Sequence, residues 1–137
     1  MAVAVADYVV LAVPGTKENE NMIDAEVLAA MKKGAVLVNV ARGTLVEESA
    51  LLTAVTSGHV YGAGIDVVKG EPVKPDNPLL SDPRIIVTPH IAGSTDVMLD
   101  GTVKYLNEVL AGYAKGIRPV GVVNEPKEPR VPLRKEA

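Results

Sequence analysis

The 137-residue sequence has no cysteine, no phenylalanine and no tryptophan, and it contains two histidines. Without thiols there can be no disulfide, no thiolate nucleophile and no cysteine-bound metal. Two histidines, neither of them in an H-E-x-x-H pattern, give no basis for a metal centre, and none is expected. Aromatic residues make up 3% of the chain, all tyrosine, so the core must be aliphatic. A net charge of −3 provides no basic footprint for nucleic acid or an anionic membrane. No apolar run is long enough to span a bilayer. The stretch from Met1 to Pro14 is apolar but carries Asp7 and lacks a basic leader. It does not read as a signal peptide, and a cytoplasmic location is expected.

What is present is an ordinary globular composition, 47% apolar and 23% charged, at a length suited to one domain. The central stretch is Val36-Leu37-Val38-Asn39-Val40-Ala41-Arg42-Gly43, a short apolar run flanked by Lys32-Lys33-Gly34. Such a run reads as a buried parallel strand, here over residues 36–41. Asp7 to Val13 is a second, ended by Pro14-Gly15. Between them a helix is predicted from Ala25 to Lys33, with Asp24 as N-cap, Ile23 and Leu28 as a hydrophobic staple and Gly34 closing it. Thr44 to Glu47 has capping-box spacing, ahead of a helix that turns Leu51, Leu52 and Val55 inward and ends at Gly58. Tyr61 to Val67 is a third strand, whose glycines imply close backbone approach.

Residues 68–84 are broken by prolines and read as loop. Ile85 to Thr88 is a fourth strand. Ser94 or Thr95 then caps a longer helix, with Met98, Leu106, Val109, Leu110 and Tyr113 on one side and Gly116 and Pro119 ending it. The segment from Asn124 to Ala137 is a proline-rich, charged tail with no period. The alternation of strand and helix specifies an α/β fold, a mainly parallel, doubly wound sheet with right-handed crossovers and helices on both faces.

Three strands end in groups able to do chemistry: Arg42, Asp66 and, after Pro89, His90. Carboxyl ends of parallel strands share one edge, where open α/β sheets bind ligands. Glu71 lies on the loop leaving that same edge. An Arg can clamp a carboxylate with its planar fork of donors. A His beside a Glu can pass a proton. Together they suit reduction of a carbonyl next to a carboxylate. Taken singly, each has a plainer reading: Arg42 snorkelling from a strand end, Glu71 a solvated loop acid, His90 satisfied by backbone. His59, just past a helix, reads as a solvated loop histidine.

The stretches Met31 to Gly43, Leu45-Val46-Glu47-Glu48, Gly62 to Val67, Gly70-Glu71-Pro72 and Thr88 to Thr95 resemble the NAD-dependent D-2-hydroxyacid dehydrogenases, a family that includes phosphoglycerate, glyoxylate and lactate members. They follow in family order from about Asp7 to Asn124. The resemblance is to the C-terminal half of the family's cofactor domain, so residues 1–123 are expected to be that part of a Rossmann-type domain and 124–137 a tail. It implies an oxidoreductase that moves a hydride between NAD(H) and a small D-2-hydroxy or 2-oxo acid. In that reading Arg42 binds substrate, and His90 with Glu71 is the acid/base pair. Asp66 meets the nicotinamide carboxamide, Val40 and Ala41 offer backbone to the nicotinamide end, and Val13 and Pro14 line the adenosine side. His90, Ala92 and Gly93 pass beside the nicotinamide.

Two departures are mild: Val68 stands where the family often has Phe, and Glu47 where it usually has Asp. A larger one is that no G-x-G-x-x-G occurs. Gly62-Ala63-Gly64 lacks the third glycine and lies within a strand. The phosphate-binding half, the ribose-reading acid and the substrate domain are therefore not encoded here. The lone chain is expected to be inactive, the choice between NAD and NADP stays open, and an exposed sheet edge is expected to pair with an N-terminal half or a second copy. An inactive remnant serving as a protein-interaction module is the alternative. A nucleotide methyltransferase would leave Arg42, Glu71 and His90 unexplained.

Overall fold

The computed structural model describes residues 2–123, which divide into two compact units, one ending at Ala92 and one beginning at Gly93. The tail expected from Asn124 lies outside the described residues. The first unit is built on four strands: β1 (Tyr8–Leu11), β2 (Val36–Asn39), β3 (Gly62–Ile65) and β4 (Ile85–Val87). They form one sheet in the order β1-β2-β3-β4, every pair parallel. Two helices join them, α1 (Ala25–Ala30) and α2 (Glu48–Thr56), and a single-turn helix at Pro78–Ser81 precedes β4.

Alternation along the strands sorts the core. Leu11, Leu37, Ala63, Ile65 and Ile85 are buried together with Leu28 of α1 and with Leu51 and Val55 of α2. Each fully buried Leu contributes roughly 1.5–3 kcal/mol of apolar transfer. Helices α1 and α2 pack against each other over this buried core. The residues that alternate with this core, Tyr8, Val10 and Ile86, remain exposed, and β1 is an edge strand.

Asp24 caps α1 as expected, its carboxylate accepting the Val27 N–H at 2.9 Å. Three local expectations are corrected by tertiary hydrogen bonding. The helix stops at Ala30 rather than Lys33, because the Lys32 N–H is taken by Val3 and the Gly34 N–H by His59. Gly34 (φ 84°) accordingly serves the turn into β2 and does not close the helix. Thr44 to Glu47 forms no capping box. Asn21 and Ile23 donate to the carbonyls of Thr44 and Leu45, and Glu47 donates to Ile23, which extends the chain and leaves Glu47 as the N-cap of α2. Strands β1, β2 and β3 are also shorter than their apolar runs; Asn39 ends β2 by taking the Ala41 N–H with its own side chain. His59 is tied to α1, its Nε2 lying 3.1 Å from the Met31 carbonyl.

Asp82 anchors the entry to β4. Its carboxylate takes two bonds from the Arg84 guanidinium, at 2.9 and 2.6 Å, and one from the Arg84 N–H. These bonds hold its pKa down at about 2, against an ordinary 3.8. A carboxyl group whose pKa is depressed on folding stabilises the fold above its unfolded pKa and loses that contribution as pH falls through the folded one. Acid titration of thermal stability should therefore show a loss between about pH 4 and pH 2 that Asp82→Asn makes smaller. Parallel curves for the two proteins would contradict this role.

The second unit contains α3 (Asp96–Ala114), capped by the Thr95 hydroxyl, which accepts the Met98 N–H at 3.1 Å. It ends ahead of Gly116 (φ 73°), and the Tyr105 hydroxyl donates to the Val120 carbonyl. Among the described residues no helix is long and apolar enough to cross a membrane.

Candidate active site

All four strands of the first unit run the same way, so the segments leaving their carboxyl ends lie along one edge of the sheet. Val13-Pro14 follows β1, Val40-Ala41-Arg42 follows β2, Asp66 follows β3, and His90 to Ala92 follows β4. The residues singled out from the sequence thus share an edge, except Gly93, which belongs to the second unit.

His90 and Glu71 meet directly. Nδ1 of the imidazole lies 2.7 Å from Oε2 of Glu71, with both side chains partly exposed. The other Glu71 oxygen accepts the Val68 N–H at 3.3 Å. His90 adopts φ 55°, the left-handed region that a residue with a side chain enters at a cost of about 1–2 kcal/mol. What holds it there is Asp66. The Asp66 carbonyl accepts the His90 N–H, and the Asp66 carboxylate accepts the N–H groups of Ile91 and Ala92 and the Thr88 hydroxyl, all at 2.6–2.9 Å.

Asp66 is buried, which by itself would raise its pKa. The bonds from Thr88, Ala92 and Ile91 outweigh burial, and its pKa is lowered. Three of a carboxylate's roughly four acceptor positions are thereby filled. Asp66, Val68, Glu71, Pro72, Val73, Thr88, Pro89 and His90 together line a cavity of about 550 Å³.

Arg42 is not among the residues lining this cavity. Its guanidinium turns back, Nη1 donating to the Ala41 carbonyl at 2.6 Å. Its backbone nevertheless sits beside the loop that carries Glu71. A Cβ at Gly43 would fall 2.2 Å from the Val68 carbonyl carbon and 2.6 Å from the Lys69 nitrogen, so only a glycine lets the two chains approach so closely. On its other side, a Cβ at Gly15 would lie 3.0 Å from Cβ and Cγ of Arg42. The loop after Pro14 therefore runs against the stem of that arginine.

Two residues that hold this edge were not singled out from the sequence. Asn39 is fully buried at the end of β2; its amide donates to the Arg42 carbonyl and accepts the Ala41 N–H, while its own carbonyl takes the Asp66 N–H. It fixes the turn before Arg42 and joins that turn to β3. The available signal was one amide inside an apolar run, since a buried amide must find partners. Thr88 is the other, as the donor to Asp66. Its place at the head of the Thr88–Thr95 stretch was the only signal, and that stretch does not name Asp66 as its partner.

Comparison with known proteins identifies the family. Residues 1–92 match the family described as D-isomer specific 2-hydroxyacid dehydrogenase, NAD binding domain. The chain is 38% identical over 121 residues to a D-3-phosphoglycerate dehydrogenase of Bacillus subtilis, covering 88% of this chain and 23% of that one. It is 38% identical over 120 residues to a glyoxylate reductase of Korarchaeum cryptofilum, covering 88% and 36% respectively. The NAD-complexed crystal structure of a D-isomer specific 2-hydroxyacid dehydrogenase from Lactobacillus delbrueckii superposes with a TM-score of 0.81 at 35% identity, over 89% of this chain and 41% of that one. The sequence thus spans less than two-fifths of the length of these two curated relatives. The parallel sheet, the groups gathered at its carboxyl edge and the match over residues 1–92 lead to one conclusion: the chain belongs to the D-isomer specific 2-hydroxyacid dehydrogenase family, through that family's NAD-binding domain.

Proposed function

We propose that this chain is the catalytic part of an NAD-dependent oxidoreductase acting on a small D-2-hydroxy or 2-oxo acid. The observation that carries the reading is the 2.7 Å contact between His90 Nδ1 and Glu71 Oε2 at the wall of a cavity. With Nδ1 engaged by a carboxylate, Nε2 is the ring nitrogen left to exchange a proton with substrate oxygen. Glu71 orients the imidazole through that contact. Arg42 binds the substrate carboxylate once its guanidinium leaves the Ala41 carbonyl, exchanging a neutral acceptor for a bidentate anionic one.

The residues present suit a dinucleotide. Val13 and Val40 are each about two-fifths exposed along the edge (41% and 43%), giving apolar surface for flat rings. The acceptor position left on Asp66 can meet a carboxamide N–H. His90 and Ala92 complete the nicotinamide side, with Ala41 contributing backbone. Bound nicotinamide would supply or accept the hydride. This sequence contains no glycine-rich phosphate-binding turn, so we assign that turn to a polypeptide that completes the sheet, the exposed side of β1 being where it docks. A second copy of this chain is the other candidate for that edge. The residue 1–123 and 124–137 division belongs to the same proposal, as does a cytoplasmic site of action.

The test is to join the chain in frame behind the glycine-rich half of a family member that retains its own substrate domain. NADH oxidation with a panel of small 2-oxo acids should be restored. If this fusion folds and binds NADH with a dissociation constant below about 10 μM yet turns over none of them, the oxidoreductase reading fails. The interaction-module alternative would then stand.

A further inference from the structure

Glu71 lies on a long loop between β3 and β4, and a catalytic carboxylate on a loop needs something to hold it. The loop is pinned at two points eight residues apart, Lys69 and Asn77, by a single side chain. Glu48, the first residue of α2, accepts the Lys69 backbone N–H through Oε1 at 2.6 Å and the Asn77 amide through Oε2 at 3.4 Å. The Lys69 ammonium is itself held at 2.5 Å by Asn21, whose N–H is bonded to Thr44. Asn77 turns its other side-chain atom inward to cap the helical turn at Leu79. The segment between these anchors contains Gly70, Glu71, Pro72 and Val73, three of which line the same cavity as His90.

We propose that Glu48 is a positioning residue whose two carboxylate oxygens staple both ends of loop 69–77 to α2 and so keep Glu71 against His90. The inference rests on the reading of Glu71 and His90 as the acid/base pair. Its geometry, however, can be tested without turnover. Charge suits the arrangement: a carboxylate in the first turn of a helix is favoured by the positive end of the helix dipole, and its bond to a backbone N–H is charge-assisted. Neither Glu47, which caps α2 without a side-chain bond to its backbone, nor Ser49, whose hydroxyl meets Glu47, reaches this loop in the hydrogen bonds of the structure.

The experiment uses the purified full chain. Amide exchange at Lys69 and Val68 is followed by NMR, together with the ring 15N signals of His90, with His59 as internal reference. In Glu48→Ala, exchange at Lys69 should quicken at least about tenfold, and the His90 Nδ1 signal should shift as Glu71 drifts away. The His59 signals and the exchange of β2 amides should stay as they were. Glu48→Gln keeps a carbonyl acceptor for the Lys69 N–H and should restore most of the protection, and Asn77→Ala should loosen only the far end of the loop. Unchanged exchange and an unchanged His90 signal in Glu48→Ala would overturn the proposal. Movement of both histidines in Glu48→Gln as well as Glu48→Ala would also overturn it, since that marks a general loss of fold. In the fusion enzyme, a positioning role lowers kcat and leaves NADH affinity alone. If the fusion proves inactive while the loop loosens as described, the oxidoreductase reading has failed and the staple has not.

Discussion

Replacing His90 with glutamine in the fusion enzyme is expected to lower kcat by about 10²–10⁴-fold. Glutamine fills a similar space and keeps a hydrogen-bonding end, but it has no proton to give at neutral pH. The loss should fall on kcat and kcat/KM together, because the proton moves only in the transition state. NADH affinity should remain near that of the unaltered protein. Glu71→Gln should cost less: an amide can still accept the Nδ1–H and orient the ring, though through a neutral rather than a charge-assisted bond. The ordering carries the argument. If Glu71→Gln were as damaging as His90→Gln, Glu71 would itself have to contact the reacting atoms. If neither mattered, the pair would be an ordinary ion pair at the surface, of a kind worth about 0–1 kcal/mol.

Gly43→Ala should be the most destabilising single methyl addition in the first unit. A Cβ there falls 2.2 Å from the Val68 carbonyl carbon and 2.3 Å from its oxygen. These are backbone atoms and cannot rotate away. One of two neighbouring segments must move, and overpacking of this kind costs typically 1–3 kcal/mol, occasionally more. For a unit of this size about 3 kcal/mol lowers the melting temperature by roughly 12–24 °C. Calorimetry on the full chain checks it. The displaced segment is the one leading to Glu71, and the residue before Gly43 is Arg42, so activity in the fusion should fall even below the melting temperature. Gly64→Ala is the control: its added carbon meets only Val38 methyls at 3.9 Å, an ordinary contact. A melting temperature within 2–3 °C of the unaltered chain for Gly43→Ala would show that the close approach is not fixed.

Much of this was legible in the residues. Apolar runs ending in polar groups mark all four strands, and the shared direction of parallel strands is enough to put Arg42, Asp66 and His90 on one edge. Asp24 and Thr95 were readable as caps because a short polar side chain ahead of an apolar period has one obvious use. The misreadings have a common cause. A helix running from Ala25 to Lys33 and a capping box at Thr44 both rest on local pattern alone. In the folded chain Val3, Asn21, Ile23 and His59 claim those backbone groups from a distance in sequence.

At the site, residue type and position pointed to the Glu71–His90 pair, but not to what supports it. Asn39 and Glu48 look like one polar interruption and one surface acid until the fold brings Arg42, Lys69 and Asn77 to them. The direction of the Arg42 side chain was not legible either. A guanidinium at a strand end can reach outward or fold back on its own chain, and here it folds back onto Ala41.

That turn makes the substrate-binding role of Arg42 the sharpest point at issue, and a crystal structure of the fusion enzyme with NADH and oxamate, a non-reducible 2-oxo acid analogue, addresses it. The guanidinium should have left the Ala41 carbonyl to grip the oxamate carboxylate with two nitrogens, with His90 Nε2 within about 3 Å of the 2-oxo oxygen. Oxamate bound with Arg42 still folded onto Ala41, or with His90 directed away from that oxygen, would contradict the assignment of this edge as the place where the acid is reduced.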